Sequence, residues 1–299
     1  MRGNRAEALP LKGLAFYSPG PFRVIATGPA GGRTGAFAAE IFQPRTAMTS
    51  GTLSMSKPEK AVYSKGLEGV VAAQTKMSFI DGEKGILEYV GIPIGELANH
   101  STFEETVFLL WNLRLPKAGE LKEFGDQLKA RYELPKGIEE RLLALPKAAK
   151  PMHMIRTMVS MLSMWDATPD ANDTASLRDK AMTILAQVPA ILAYYHRYRT
   201  GQAIIRPDKN LSIAENFLYM LNGQRPTPTM AKAMDVCLVL HADHGLNNST
   251  FSARSVMSTQ SDMYSAITAA IGSLKGPLHG GANEGVMVML NQIPTVEAA

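Results

Sequence analysis

Two short stretches hold the residues best able to do chemistry. "LHADHGLNNSTFSAR" (240–254) gathers His241, Asp243, His244, Asn247, Asn248, Ser249, Thr250 and Arg254. "GPLHGGANE" (276–284) places His279 directly before Gly280 and Gly281. Imidazole is the side chain suited to proton transfer near neutral pH. His241 and His244 are three residues apart and share a helix face if the helix lasts that long. The stretch is open to two readings from its residues alone. It is a helix C-cap, with a histidine near the negative helix end and Gly245 as the left-handed stop. Or His241, Asp243 and His244 ligate zinc, although no H-E-x-x-H pattern or further Cys/His pair completes the set. In the second stretch, the glycines let backbone or ligand approach closely. "GGANEGVMVML" begins a helix, with Glu284 in its first turn, so His279 falls just before a helix N-terminus. The positive helix end favours the neutral ring, which can donate to and polarise a carbonyl. The bland alternative is a glycine turn with an incidental histidine.

The other candidates carry less. Cys237 lies inside an apolar run, "DVCLVL", and reads as a buried structural thiol. His153 and His196 lie beside helical core residues and read as structural. His100 reads as a cap or surface residue. No dinucleotide, phosphate-loop or nucleophile-elbow motif is present in the sequence.

Composition bounds the rest. The single cysteine excludes an intramolecular disulfide framework and fits a reducing compartment. No apolar run approaches the roughly 20 residues of a membrane helix. The net charge of +4 comes entirely from residues 1–54, where Arg2, Arg5, Lys12, Arg23, Arg33 and Arg45 face only Glu7 and Glu40. The body is neutral and offers no electrostatic footprint for nucleic acid. Residues 1–54 are rich in Gly, Ala, Pro and Arg without a sustained period. They read as a disordered extension: a targeting peptide, a real arm, or a start assigned upstream of Met48 or Met55.

From there the elements that must position the histidines are mostly helical. Residues 66–98 suggest two or three short strands, with turns at Asp81-Gly82 and Gly91. "STFEETVFLLWNLRLP" follows, with Ser101 and Glu104 as a capping box and Pro116 ending the helical region. Shorter charged helices span 119–132 and 136–145. An apolar, Met-rich helix spans 152–165, and a long one spans 177–201 with a kink at Pro189. Ser212 and Glu215 form a second capping box for 211–223, with Gly223 as its stop. Helices over 227–245 and 259–277 carry the two histidine stretches. The total is roughly ten helices without βαβ alternation.

Taken together, the two stretches resemble the citrate synthase family. "LHADHGLNNSTFSAR" resembles its oxaloacetate-side motif and "GPLHGGANE" its acetyl-CoA-side motif, with 35 residues from His244 to His279. The likeness extends upstream through "GLEGVVAAQTKMSFIDGEKGILEYVGIPIGELA", "STFEETVFLLWNLRLP", "PMHMIRTMVSMLSMWD" and "LSIAENFLYMLNGQRPT", covering about 60–299. It implies a mainly α protein: a large multi-helical domain over 55–275 and the beginning of a small domain over 276–299. It implies acyl transfer without a cofactor or metal, with acetyl-CoA and oxaloacetate as substrates, in a cytoplasmic homodimer built through large-domain helices. His279 would be the neutral donor to the acetyl-CoA carbonyl. His244 would hydrogen-bond oxaloacetate, and His241 would orient the loop or touch substrate. Gly280 and Gly281 would leave room for the thioester.

The chain departs from the pattern after "HGGAN". The family's base aspartate, its Gly-His-Arg histidine and its substrate-binding arginines have no counterpart before Ala299. The expectation is therefore a fragment, inactive on its own. Three alternatives stand beside it: a 2-methylcitrate synthase using propionyl-CoA, a non-catalytic dimerising helical protein, and a metal hydrolase of His241, Asp243 and His244.

Overall fold

The computed structural model describes residues 71–293 and 295. The readings made for residues 1–54 lie outside them. The described chain opens with a three-stranded antiparallel meander, β1 (Ser78–Asp81), β2 (Ile86–Tyr89) and β3 (Ile92–Pro93). Tyr89 pairs with Ser78 on one side and Ile92 on the other. The β1–β2 turn is set by Asp81, which accepts from the Lys84 amide at 3.1 Å, and by Gly85 at φ +66°. Gly91, at φ +79°, completes the β2–β3 turn in the left-handed region that glycine tolerates.

Eleven α-helices follow among the described residues. They are α1 (Ile94–His100), α2 (Phe103–Asn112), α3 (Ala118–Ala130), α4 (Lys136–Leu142), α5 (Pro151–Leu162) and α6 (Thr174–Arg199), then α7 (Ile213–Asn222), α8 (Pro228–Leu240), α9 (Asn248–Met257), α10 (Met263–Leu274) and α11 (Gly281–Leu290). The mainly α expectation holds. Helices α1 and α9 are additions to it. The first was hidden in a stretch with strand-like composition, the second in one that read as a helix end.

The caps show how the sequence selects these ends. Ser212 and Glu215 form the expected box, and Gly223 stops α7 at φ +80°. The box expected at Ser101 and Glu104 does not form, and the cap falls one residue later. Thr102 accepts from the Glu105 amide at 3.2 Å, while Ser101 closes α1 by donating its amide to Leu97. Both frames satisfy the S/T-x-x-E pattern, and the end of α1 decides between them. Glu104 instead accepts from the Ile213 amide, the first of α7, at 2.8 Å. Asp235 of α8 in turn accepts from the Phe103 amide, the first of α2, at 2.9 Å. Three helices are thus linked by carboxylates meeting otherwise unsatisfied N–H groups.

The core falls into two clusters. One packs Ile138, Leu142, Met158, Val159, Ile191 and Tyr194 between α4, α5 and α6. The other packs Tyr89, Leu97, Phe108, Leu109, Leu128 and Val239, joining the meander to α1, α2, α3 and α8. Burial of each such apolar side chain contributes about 1.5–3 kcal/mol. The helix α6 runs unbroken through Pro189.

Three solitary residues depart from expectation. Cys237 is exposed, because α8 turns Asp235 and Val239 inward and Cys237 outward. His153 and His196 are exposed as well, each on the outer side of a helix whose neighbouring residues face in. An apolar run does not say which of its residues faces the core.

Burial pushes the Glu104 carboxyl above its ordinary range, despite the amide it accepts from Ile213, and the nearby Asp235 charge adds to this. A raised carboxyl favours the protonated folded state, so its stabilisation is full at low pH and is lost as pH rises through the raised value. Glu104→Gln keeps the acceptor oxygen and cannot ionise. Its unfolding midpoint in urea, relative to the parent, is expected to improve between about pH 4 and about pH 7. A constant difference across that range would contradict the assignment.

Candidate active site

His279 sits in a tight turn between two helices. Lys275 closes α10, and the Gly276 carbonyl then accepts from both the His279 amide (3.0 Å) and the Gly280 amide (3.1 Å). Gly280 caps α11, which begins at Gly281. The expected place of His279, just before a helix N-terminus, is therefore the observed one. Gly280 has a packing reason to be glycine. A Cβ there would lie 1.9 Å from the Leu274 carbonyl oxygen.

The half-buried His279 ring is held by a residue to which the sequence assigned no role. Its Nε2 lies 2.6 Å from Ser249 Oγ, and Ser249 Oγ also lies 3.1 Å from the Ala270 carbonyl. With its proton on the Ala270 carbonyl, Ser249 Oγ accepts from an Nε2–H of the ring; with its proton turned to Nε2, the neutral ring carries its own on Nδ1. Ser249 reaches the ring because α9 packs along α10, where Asn248 also hydrogen-bonds Ser273. The only signal in the sequence was the polar richness of 247–250.

The turn after α8 is built differently. The helix ends at Leu240, with His241 as its C-cap, so His241 and His244 do not share a helix face. His241 turns Nδ1 back to the Cys237 carbonyl at 2.7 Å. Asp243 accepts from the Gly245 amide at 3.2 Å, and Gly245 takes φ +83°. Asn247 then caps α9 by accepting from the Thr250 amide. His241 and His244 are both exposed. Beneath them, the Tyr89 hydroxyl lies 2.9 Å from the Asp243 carbonyl and 3.1 Å from the Asp243 amide. A hollow of about 260 Å³ lies beside the turn, with Met77, Asp243, Gly245, Leu246, Thr250 and Arg254 among its lining residues.

Among the described residues no hydrogen bond joins His241 or His244 to His279, and no three of His, Cys, Asp and Glu gather within reach of one metal ion. The ligand set imagined for a hydrolase, His241, Asp243 and His244, is thus not assembled. No described helix is long and apolar enough to cross a membrane.

A mainly helical scaffold thus places one histidine before a helix N-terminus and a second pair on a neighbouring turn. The comparisons with known proteins give the family. The sequence pattern of the citrate synthase C-terminal domain matches residues 66–299. The chain is 48% identical over 238 residues to a citrate synthase of Deinococcus radiodurans, covering 79% of this chain and 63% of that one. It is 43% identical over 239 residues to a 2-methylcitrate synthase of Mycobacterium tuberculosis, covering 79% and 60%. A solved citrate synthase of Thermoplasma acidophilum, in ternary complex with carboxymethyl coenzyme A and oxaloacetate, superposes with a TM-score of 0.72 at 32% identity, covering 78% and 61%. The chain belongs to the citrate synthase family. It spans about three-fifths of the length of these relatives.

Two substitutions test this geometry. Ser249→Ala removes the partner of Nε2, and imidazole 15N spectra are expected to show a changed balance of the ring proton between Nδ1 and Nε2. An unchanged tautomer would mean that Ser249 does not set it. Gly280→Ala forces a backbone shift and is expected to lower stability by about 1–3 kcal/mol in urea unfolding. A neutral result would show that the turn is not tightly packed.

Proposed function

We propose that the chain supplies the histidine half of a site that condenses acetyl-CoA with oxaloacetate to give citrate and CoA. The observation that carries this reading is the Ser249–His279 hydrogen bond at the threshold of α11. The α-proton of a thioester is weakly acidic, so the enolate formed on its removal needs a donor at its oxygen. With the Ser249 proton turned to Nε2, a neutral His279 presents Nδ1–H for this purpose, and such preorganised donors dominate catalysis of this kind. His244 hydrogen-bonds oxaloacetate from the adjoining turn. His241, tied to the Cys237 carbonyl, orients that turn. Gly280 keeps the loop close to α10, and Gly281 starts the helix that follows. The substrates named for the Thermoplasma relative support the pair chosen here. No metal or cofactor is required, and a cytoplasmic setting fits the single cysteine.

The large domain extends over 55–275, and 276–299 begins a smaller one. Val286 to Leu290 of α11 are all about half exposed, which suits a helix awaiting further packing partners. A homodimer through large-domain helices is supported by an apolar groove of about 310 Å³, with Phe103, Leu185, Val188, Leu192, Phe217 and Leu238 in its walls. The chain spans about three-fifths of its relatives' length, so the condensation is tested with the remaining length supplied. The second reading, 2-methylcitrate synthase, is favoured by relatives of that name at 42–43% identity.

The test joins residues 55–299 to the matching remainder of the Deinococcus radiodurans enzyme and follows CoA release in the presence of oxaloacetate. Faster release from acetyl-CoA than from propionyl-CoA is expected, with His279→Ala lowering it about 10²–10³-fold. The opposite preference would select the second reading. Release from neither thioester, by a folded protein, would overturn both.

A further inference from the structure

A turn is held only by what bonds its backbone, and the His241–His244 turn is held from below by one side chain. Tyr89 is completely buried. Its ring packs in the core of the meander, α1 and α2, while its hydroxyl reaches the end of α8. That oxygen accepts the Asp243 amide at 3.1 Å. Its own proton faces three carbonyls, those of Asp243 at 2.9 Å, Val239 at 3.1 Å and Leu240 at 3.4 Å. It can serve only one of them at a time, and Asp243 is the nearest. Both polar groups of the Asp243 backbone are then met by a single atom, in the residue between the two histidines' peptides and directly before His244.

We propose that the Tyr89 hydroxyl is a positioning residue for the His244 imidazole, fixing where the turn presents it to the carboxylate or keto oxygen of a small dicarboxylate. The proposal rests on the reading of His244 as the oxaloacetate-side histidine. Tyr89 touches no substrate; it acts through Asp243. Burial pushes the phenol above its ordinary range, so the hydroxyl keeps its proton and its donor role at working pH. Phenylalanine would fill the ring's space while leaving the Asp243 amide without its partner. Supporting groups of this kind, behind a residue that meets substrate, set its position to within fractions of an ångström.

The experiment uses the whole chain with labelled histidines. Tyr89→Phe is compared with Gly85→Ala, which strains the β1–β2 turn at φ +66° without steric contact and leaves the hydroxyl alone. In Tyr89→Phe, amide exchange at Asp243 is expected to rise about tenfold or more. The His241 and His244 imidazole resonances are expected to move, while those of His153 and His196 stay. Gly85→Ala, compared at equal distance below its melting temperature, is expected to leave the turn's resonances in place. A 4-aminophenylalanine at position 89 restores a donor and is expected to return them. Oxaloacetate is titrated into the protein extended with the Deinococcus radiodurans remainder, with and without Tyr89→Phe, and is expected to bind roughly threefold or more weakly to the variant when read at His244. Unmoved His241 and His244 resonances in Tyr89→Phe, or equal movement in Gly85→Ala, would overturn the proposal. If oxaloacetate shifts no histidine of the extended parent while Tyr89→Phe still releases the turn, the clamp stands and the reading of His244 falls.

Discussion

Where α8 stops, its last carbonyls have to find partners, and the form of the candidate site follows from how they do so. A helix end leaves several C=O groups without intrahelical donors. Here the His241 amide closes on the Cys237 carbonyl, the His241 ring returns to the same oxygen, and the Tyr89 hydroxyl lies beside those of Val239 and Leu240. The chain then leaves the helix after Leu240, turns at Gly245 and starts α9 at Asn248, behind its cap Asn247. Had the helix continued to 245, His241 and His244 would share its face and α9 would begin too late to carry Ser249 to His279.

The two histidine segments are therefore coupled through α9, although no direct bond joins them. The turn fixes where α9 starts. The packing of α9 along α10 fixes where Ser249 meets the His279 ring and where Asn248 meets Ser273. The meander, remote in sequence, contributes through Tyr89. A three-stranded sheet is a small element in a helical protein, yet its central strand supplies the hydroxyl beneath the turn. Carboxylates play a similar part elsewhere. Glu104 and Asp235 each meet the first amide of another helix, so that α2, α7 and α8 are held end to side by charge as well as by apolar burial.

Each departure from the sequence reading has a definite cause. Two overlapping capping frames at Ser101 and Thr102 look alike in one dimension, and the end of α1 selects the second. "DVCLVL" is apolar throughout, so its composition could not reveal that Cys237 faces outward. His153 and His196 sit among core residues in the chain but on the far side of their helices in space. Tyr89 ends β2 and is the one buried residue of that strand. Nothing local indicated that its hydroxyl would meet a backbone about 150 residues away.

What the sequence by itself determined is the local grammar and the family. It specified the meander's turns at Asp81-Gly82 and Gly91, the Ser212–Glu215 box with its Gly223 stop, and the place of His279 before a helix. These follow from backbone preferences and short-range hydrogen bonds, which adjacent residues settle among themselves. The two histidine motifs, in order and at their spacing, pointed to the citrate synthase family. The tertiary structure alone decided which helix ends are met by distant groups, which face of α8 is buried, and which hydroxyls hold the two histidine segments. Those outcomes depend on buried polar groups finding partners across the fold, and that pairing exists only once the helices have packed.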